Sequence, residues 1–462
     1  MLKDISKIKF YNNVLETIGN TPLIKLNKIN KGLKPLIFVK METFNPGGSV
    51  KDRIGVEIVE DAERTGKLKP GGTIIESTSG NTGMGLALAA AVKGYKTVFT
   101  MPDKMSQEKV MNLRAFGAEV IVTPTAVPHE SPESYTSVAK KRVEETPNSI
   151  LADQYENPKN PEAHYKTTGP EIWEQTGGQI DYFICGIGTG GTITGTGKYL
   201  KEKNPNVKVI GVDIQGSMLQ EYFYTKKFTP QFKTYKVEGI GQDFMPGALD
   251  FSYVDEVLIA DDKESFLAAR KMTREEGIFV GGSSGTAIHC ALKFCEKLSE
   301  KDVVVILIPD GGSKYVSKIY NDVWMKENGF LKPERITLKY VLASKSDGIP
   351  PLVTIDRKMN VREALELIKN YNVSQLPVME GDKCIGTIAE SSLLSTVLND
   401  PSKFDKSVES FMELPLPTLH MNEEMHSAVK YFTQKMPAVL VTDDKKPIGI
   451  VTRFDLLDHM LQ

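Results

Sequence analysis

The sequence predicts an α/β protein, a mostly parallel sheet covered by helices on both faces, followed by a smaller α+β tandem repeat. Three observations predict this. Between about Pro35 and Pro309, short apolar runs alternate with segments of helical period. Several of these runs end in turns dense in glycine and hydroxyl residues, each leading into a helical pattern. After Phe330 the character changes, and the remaining residues hold a weak internal duplication.

The elements follow in order. Leu36-Ile37-Phe38-Val39 reads as a strand, and Asp52 to Arg64 as a helix that places Ile54, Ile58, Val59 and Ala62 on one face, with Gly66 as its stop. Thr73-Ile74-Ile75-Glu76 opens the next unit, whose helix runs through Gly85-Leu86-Ala87-Leu88-Ala89 to Gly94. Thr97-Val98-Phe99-Thr100 is the strand after it. Later strands are expected at Asp181–Cys185, Val207–Val212 and Val303–Ile308. In such sheets ligands sit beyond the C-terminal ends of the strands. In the tail, Val361 to Met379 with Ile385-Gly386-Thr387-Ile388 parallels Met425 to Leu440 with Ile448-Gly449-Ile450-Val451. Each half reads as helix, strand, turn, strand, helix, too small to bury its own apolar face. The boundary is expected at Lys332-Pro333-Glu334, separating residues 1–331 from 332–462, with repeats at about 334–398 and 404–462.

Composition bounds the function classes. A chain of 462 residues exceeds one ordinary core. With 40% hydrophobic and 25% charged residues, disordered, collagenous and coiled-coil classes are excluded. A formal net charge of -2 provides no field to gather nucleic acid or anionic lipid, so an anionic ligand must be held by a local site and partners are expected to be small molecules. Cys185, Cys290, Cys295 and Cys384 lack zinc-like spacing and read as buried thiols, which suits a reducing compartment. The N-terminus has no apolar h-region and no stretch approaches the roughly 18 apolar residues of a membrane span, so a cytosolic location is expected.

Four strand-to-helix turns carry the chemistry. Asn45-Pro46-Gly47-Gly48-Ser49-Val50-Lys51 places a lysine where the positive end of a helix dipole disfavours a second cation, pushing it toward a neutral, nucleophilic form. Ser77-Thr78-Ser79-Gly80-Asn81-Thr82-Gly83 is dense in hydroxyls and backbone N–H groups and reads as a nest for a carboxylate. Gly186-Ile187-Gly188-Thr189-Gly190-Gly191-Thr192 lets the backbone wrap a phosphate, yet departs from both the Walker and the dinucleotide spacing. Gly281-Gly282-Ser283-Ser284-Gly285 adds a neutral hydroxyl before a helix beginning near Thr286. Singly, each could be an ordinary first-turn lysine, N-cap or loop. Converging at one sheet edge, they supply what an imine of pyridoxal phosphate (PLP) needs.

With those residues in view, the chain resembles the cysteine synthase/cystathionine β-synthase family of fold-type II PLP enzymes from about Val14 to Leu331. The resemblance implies a catalytic core of two α/β subdomains with PLP as cofactor. It implies that Lys51 forms the Schiff base and moves protons at the substrate α-carbon, and that Asn81 hydrogen-bonds the ring oxygen. Gly188, Thr189, Gly190, Gly191 and Thr192 would cradle the phosphate, and Ser283 would face the pyridine nitrogen. Thr78, Ser79, Thr82 and Gln154 would bind the substrate carboxylate, with Tyr155 and Gly241 completing the substrate site. A hydroxyl cannot hold the ring nitrogen protonated as a carboxylate could. The milder electron sink favours β-elimination and replacement over transamination.

The tail resembles the paired regulatory repeats of the Bateman module, which many cystathionine β-synthases carry, and this tilts the expected reaction to condensation of L-serine with L-homocysteine. Hydrogen sulfide formation is an expected side activity. Cysteine synthase chemistry with O-acetylserine and sulfide, and a catalytically silent nucleotide-sensing scaffold, are the alternatives. In Glu238-Gly239-Ile240-Gly241-Gln242-Asp243-Phe244, Gln242 stands where the family implies a tyrosine. Only a short lead precedes Asn13-Val14-Leu15-Glu16-Thr17, so no haem is expected and no metal site is read. In the second repeat Thr452 and Asp455 match the positions that hold a ribose, whereas the first has Ala389 and Ser392, so one adenosyl site is expected, for S-adenosylmethionine or else AMP or ATP. A homodimer or higher homo-oligomer is implied by the family.

Overall fold

The computed structural model describes residues 9–125, 127, 131–227, 234–331, 336–345, 350–434 and 436–460. The connection Lys332-Pro333-Glu334 and most of the N-terminal lead before Asn13 lie outside the described residues. By contacts the chain forms two units, Met1–Asn321 and Asp322–Gln462. The second begins earlier than Lys332 because the short helix Asp322–Glu327 packs on the helix Leu338–Ala343.

The first unit contains two sheets. A six-stranded sheet has the spatial order Leu23–Lys25, Leu36–Met41, Val303–Ile308, Tyr182–Gly186, Lys208–Ile214, Glu256–Ala260, parallel except for its first pair. A four-stranded, wholly parallel sheet has the order Glu119–Thr123, Lys96–Pro102, Thr73–Ser77, Ser149–Leu151. Each sheet buries its own core. Ile74 and Phe99 of the smaller sheet pack with Ile54, Ile58 and Val59, while Phe183, Val209 and Val305 of the larger pack with Val50 and Ile193. Most expected strands and helices are present with ends shifted by one or two residues, as with Lys51–Arg64 for the helix expected from Asp52, but the helix expected from near Thr286 begins four residues earlier, at Gly282, so that Ser283 lies in its first turn.

Two glycines decide how closely the site-bearing helices approach. A Cβ on Gly55 would lie 2.3 Å from the carbonyl carbon of Gly85, and one on Gly85 would lie 2.5 Å from the Lys51 carbonyl oxygen. Helices Lys51–Arg64 and Asn81–Lys93 therefore meet backbone to backbone. That contact sets Lys51 beside the helix that opens with Asn81.

In the second unit each repeat keeps the expected helix, strand, strand, helix order: Val361–Tyr371, Gln375–Glu380, Lys383–Ala389, Glu390–Asn399, then His426–Thr433, Ala438–Asp443, Lys446–Thr452, Arg453–Met460. A short parallel strand, Ile355–Asp356 or Thr418–His420, adds a third to each sheet. Neither short strand is predicted from the sequence, because two or three residues show no period of their own. Among the described residues no helix is long and apolar enough to cross a membrane.

Candidate active site

The turn before Lys51 is held from several sides. Asn45 donates through Nδ2 to the Ser49 carbonyl at 3.1 Å, the Val50 amide donates to the Pro309 carbonyl at 2.8 Å, and Gly48 takes φ +72°. Only glycine adopts that φ without strain. Lys51 is the first residue of its helix and lines a cavity of about 520 Å³. Burial pushes its ammonium below the ordinary lysine range, with Cys185 and Asp310 opposing the shift. Desolvation thus favours the neutral amine. Two residues along, Arg53 pairs with Glu42 at 2.7 Å and Glu171 at 2.6 Å and anchors the helix start in the interior.

In the second turn Ser79, Asn81 and Thr82 line the same cavity. Thr78 does not. Its buried hydroxyl accepts from the amides of Gly80 and Gly83 at 3.0 and 3.3 Å, so it shapes the loop from behind. Thr82 donates to Gln154 Oε1 at 2.6 Å, and Gln154 donates to the Ser77 carbonyl at 2.8 Å, which brings Gln154 into the wall beside Tyr155. Tyr155 shares a 3.0 Å hydrogen bond with Tyr135, and burial raises its phenol to about 12. Behind the nest, burial and then the charge of Asp153 raise Glu76 to about 8.

The glycine loop forms a narrow extension of the cavity lined by Gly188, Thr189, Gly190, Thr192 and Ser283. Gly191 is turned from it, against Asn160: a Cβ there would meet Asn160 Oδ1 at 1.9 Å. Asn160 donates to Thr189 Oγ1 at 2.9 Å, and His164, one turn further on, lies 3.2 Å by Nε2 from Thr192 Oγ1. The sequence reading missed both residues, although their spacing of four on one helix was a visible signal. Gly241 also lines the main cavity, at φ +76°, with Gln242 beside it.

Ser283 stands 5% exposed at the start of helix Gly282–Cys295 and lines both spaces. The loop after strand Val303–Ile308, also missed, ties the other turns together. Asp310 accepts through Oδ2 from Asn81 Nδ2 at 2.8 Å and from Tyr315 at 2.6 Å, and its carbonyl accepts from the Gly281 amide at 3.1 Å. Pro309-Asp310-Gly311-Gly312 was a fifth strand-end turn in the sequence.

PLP fits this set of donors. Helices beginning at Asn81, Gly191 and Gly282 all lack a side-chain N-cap, so first-turn N–H groups remain to receive anionic oxygens at three places around one cavity. Residues 14–310 match the pyridoxal-phosphate-dependent enzyme family, and 348–399 and 408–462 each match the CBS domain. Cystathionine β-synthase of Dictyostelium discoideum is 42% identical, over 97% of this chain and 92% of that protein. The Saccharomyces cerevisiae enzyme of that name is 39% identical over the whole of both chains. The chain belongs to the cystathionine β-synthase family of PLP-dependent enzymes.

Among solved structures, an O-acetylserine dependent cystathionine β-synthase from Helicobacter pylori is 38% identical with a TM-score of 0.63, over 68% of this chain and all of that one. A hydrogen sulfide-producing enzyme from Fusobacterium nucleatum is 37% identical with a TM-score of 0.62, over 66% of this chain and all of that one. Membership of the cystathionine β-synthase family gives this chain PLP as its cofactor and places the paired repeats after the catalytic core.

In the tail, Thr452 donates from its hydroxyl to Asp455 Oδ2 at 2.8 Å and from its amide at 2.6 Å. Lys345 adds an ion pair to the same carboxylate at 2.9 Å and donates to the Ile450 carbonyl at 2.7 Å. The sequence brought Thr452 and Asp455 together but not Lys345. In the first repeat Ala389 is an N-cap with no side-chain bond, and Ser392 instead donates to Glu413 at 2.5 Å.

Proposed function

We propose that this chain replaces the β-hydroxyl of L-serine with the sulfur of L-homocysteine, forming cystathionine and water. The observation that carries the reading is a single cavity lined at once by Lys51, Asn81 and Ser283, by Ser79, Thr82 and Gln154, and by the charged residues Lys104, Glu238 and Asp243. The third group offers charges of both signs, which suits an amino-acid thiol better than sulfide. Bound PLP supplies an electron sink at the substrate α-carbon.

The chain's own residues do the rest. Lys51, kept toward its neutral form by burial, takes the α-proton and later returns it. Ser79, Thr82 and Gln154 hold the substrate carboxylate, whose charge meets the positive end of helix Asn81–Lys93, where the N-cap residue Gly80 has no side chain to offer. The Cβ–O bond breaks and the leaving hydroxide takes up a proton to depart as water, the Cβ–S bond forms, and the proton lost by the thiol balances the one taken up by the leaving group. Thr189, Thr192 and the first amides of helix Gly191–Lys203 hold the cofactor phosphate, with Ser283 at the ring nitrogen.

A second reading takes O-acetylserine as donor, and the likeness to the Helicobacter pylori enzyme favours it. Purified protein offered serine or O-acetylserine against homocysteine or sulfide separates the readings. Serine with homocysteine is expected to give the highest kcat/KM. Faster turnover with O-acetylserine and sulfide would reject the leading reading in favour of cysteine synthase. The tail is proposed to bind one adenosyl ligand, with S-adenosylmethionine preferred over AMP or ATP, at Thr452 and Asp455, and thereby to regulate turnover.

A further inference from the structure

Lys314 is 6% exposed, far from the solvated surface where lysines usually stand. Its ammonium has three N–H donors and no acceptor. The surrounding acceptors number the same: Gly47 O at 3.0 Å, Gly48 O at 3.3 Å and Asn81 Oδ1 at 2.8 Å. Asp310 Oδ2 takes one hydrogen from the other end of the Asn81 carboxamide at 2.8 Å and is itself held by the Tyr315 hydroxyl at 2.6 Å. Asn81 is thus gripped by a cation that can only donate to its oxygen and a carboxylate that accepts from its nitrogen. Turning the amide over would set NH2 against ammonium and oxygen against carboxylate, two repulsive contacts in place of two charge-assisted hydrogen bonds.

We propose that Lys314 is a positioning residue, which fixes the orientation of the Asn81 carboxamide so that its second N–H is presented to the ring oxygen of PLP. Lys314 does not line the cavity, whereas Asn81 does, so its action runs through Asn81. The same ammonium ties the Gly47-Gly48 turn, and with it the approach to Lys51, to the start of helix Asn81–Lys93. Burial lowers the affinity of Lys314 for its proton, and the charges of Asp310 and Asp52 oppose that shift. The inference rests on Asn81 standing beside the ring oxygen.

The test is Lys314→Met, which keeps an unbranched buried chain without a donor, measured in the PLP-loaded protein. Its visible absorption and circular dichroism bands should differ from the parent's, and the PLP dissociation constant should rise about tenfold, equivalent to about 1.4 kcal/mol. Lys314→Arg, which keeps a cationic donor, should return the bands toward those of the parent. In an Asn81→Ala background, Lys314→Met should change the bands much less than it does alone, the remainder coming from the Gly47-Gly48 turn. A folded Lys314→Met protein with the parent's spectrum and affinity would overturn the proposal, and so would a full additional change in the Asn81→Ala background. An Asn81→Ala protein whose own spectrum is unchanged would instead reject the placement of Asn81 on which the proposal rests. Should Lys314→Met fail to fold, Lys314→Ala with added methylammonium makes the same comparison. Recovery of the parent bands supports the proposal, and absence of recovery rejects it.

Discussion

The imidazole of His164 meets the hydroxyl of Thr192 at 3.2 Å through Nε2, while its Nδ1 lies 2.9 Å from Thr168 Oγ1. Burial, followed by the charges of Lys51 and Arg53, holds this histidine well below its ordinary pKa. A neutral ring has one donor and one acceptor, so both nitrogens are used and the Thr192 hydroxyl is held in place. Asn160 does the same for Thr189.

His164→Ala and Asn160→Ala are therefore expected to weaken PLP retention. Each removes one hydrogen bond behind the glycine loop proposed to hold the phosphate, a loss of about 1 kcal/mol or roughly fivefold to tenfold in affinity. With saturating PLP, kcat should fall much less. Titration of apoprotein with PLP, followed by absorbance, checks this, and unchanged affinity in both variants would contradict it.

Lys51→Ala is expected to lower turnover by about 10³-fold or more, since it removes both the imine nitrogen and the base. The visible band of the bound cofactor should disappear while the phosphate loop still retains some PLP. Near-normal turnover in the alanine variant would sink the assignment of Lys51.

Ser283→Asp places a carboxylate where the neutral hydroxyl stands 5% exposed. A carboxylate beside the pyridine nitrogen stabilises its protonated form and strengthens the electron sink, which should slow β-replacement by about tenfold or more, some 1.4 kcal/mol of barrier. Rapid-scan spectra and steady-state rates test this. Values matching the parent would mean that Ser283 is not the ring-nitrogen partner.

Glu76 makes stability depend on pH. Burial raises its carboxyl from 4.5 to about 8, so the folded state holds this proton more tightly than the unfolded chain. The stabilisation is complete below about pH 4 and is lost as pH rises toward 8, where the unfolded state ionises first. Glu76→Gln should flatten that fall, raising Tm relative to the parent at pH 8 but not at pH 4. Parallel melting curves at both values check the sign.

In the tail, Asp455→Ala should reduce binding of the adenosyl ligand at least about tenfold, as expected when a ribose hydroxyl loses its charged partner. Calorimetric titration of S-adenosylmethionine, AMP and ATP into both proteins measures it. Equal binding by the two would place the ligand elsewhere.

The sequence by itself determined the local chemistry: the glycine turn before Lys51, the hydroxyl-rich start of helix Asn81–Lys93, the glycine loop from Gly188 to Thr192, and the duplication in the tail. These were legible because a turn's backbone requirements and a helix's open N–H groups are met by adjacent residues. The resemblance implied two subdomains, but only the tertiary structure decided which strands join which sheet and in what order, since apolar runs do not encode their neighbours. It also decided that Thr78 supports its loop from behind, that Asn160 and His164 back Thr189 and Thr192, and that Lys345 joins Asp455. Asn81 is gripped from 229 and 233 residues away, by Asp310 and Lys314. Partners so distant leave no periodic trace along the chain, because packing and the need to pair buried polar atoms choose them once the turns have converged.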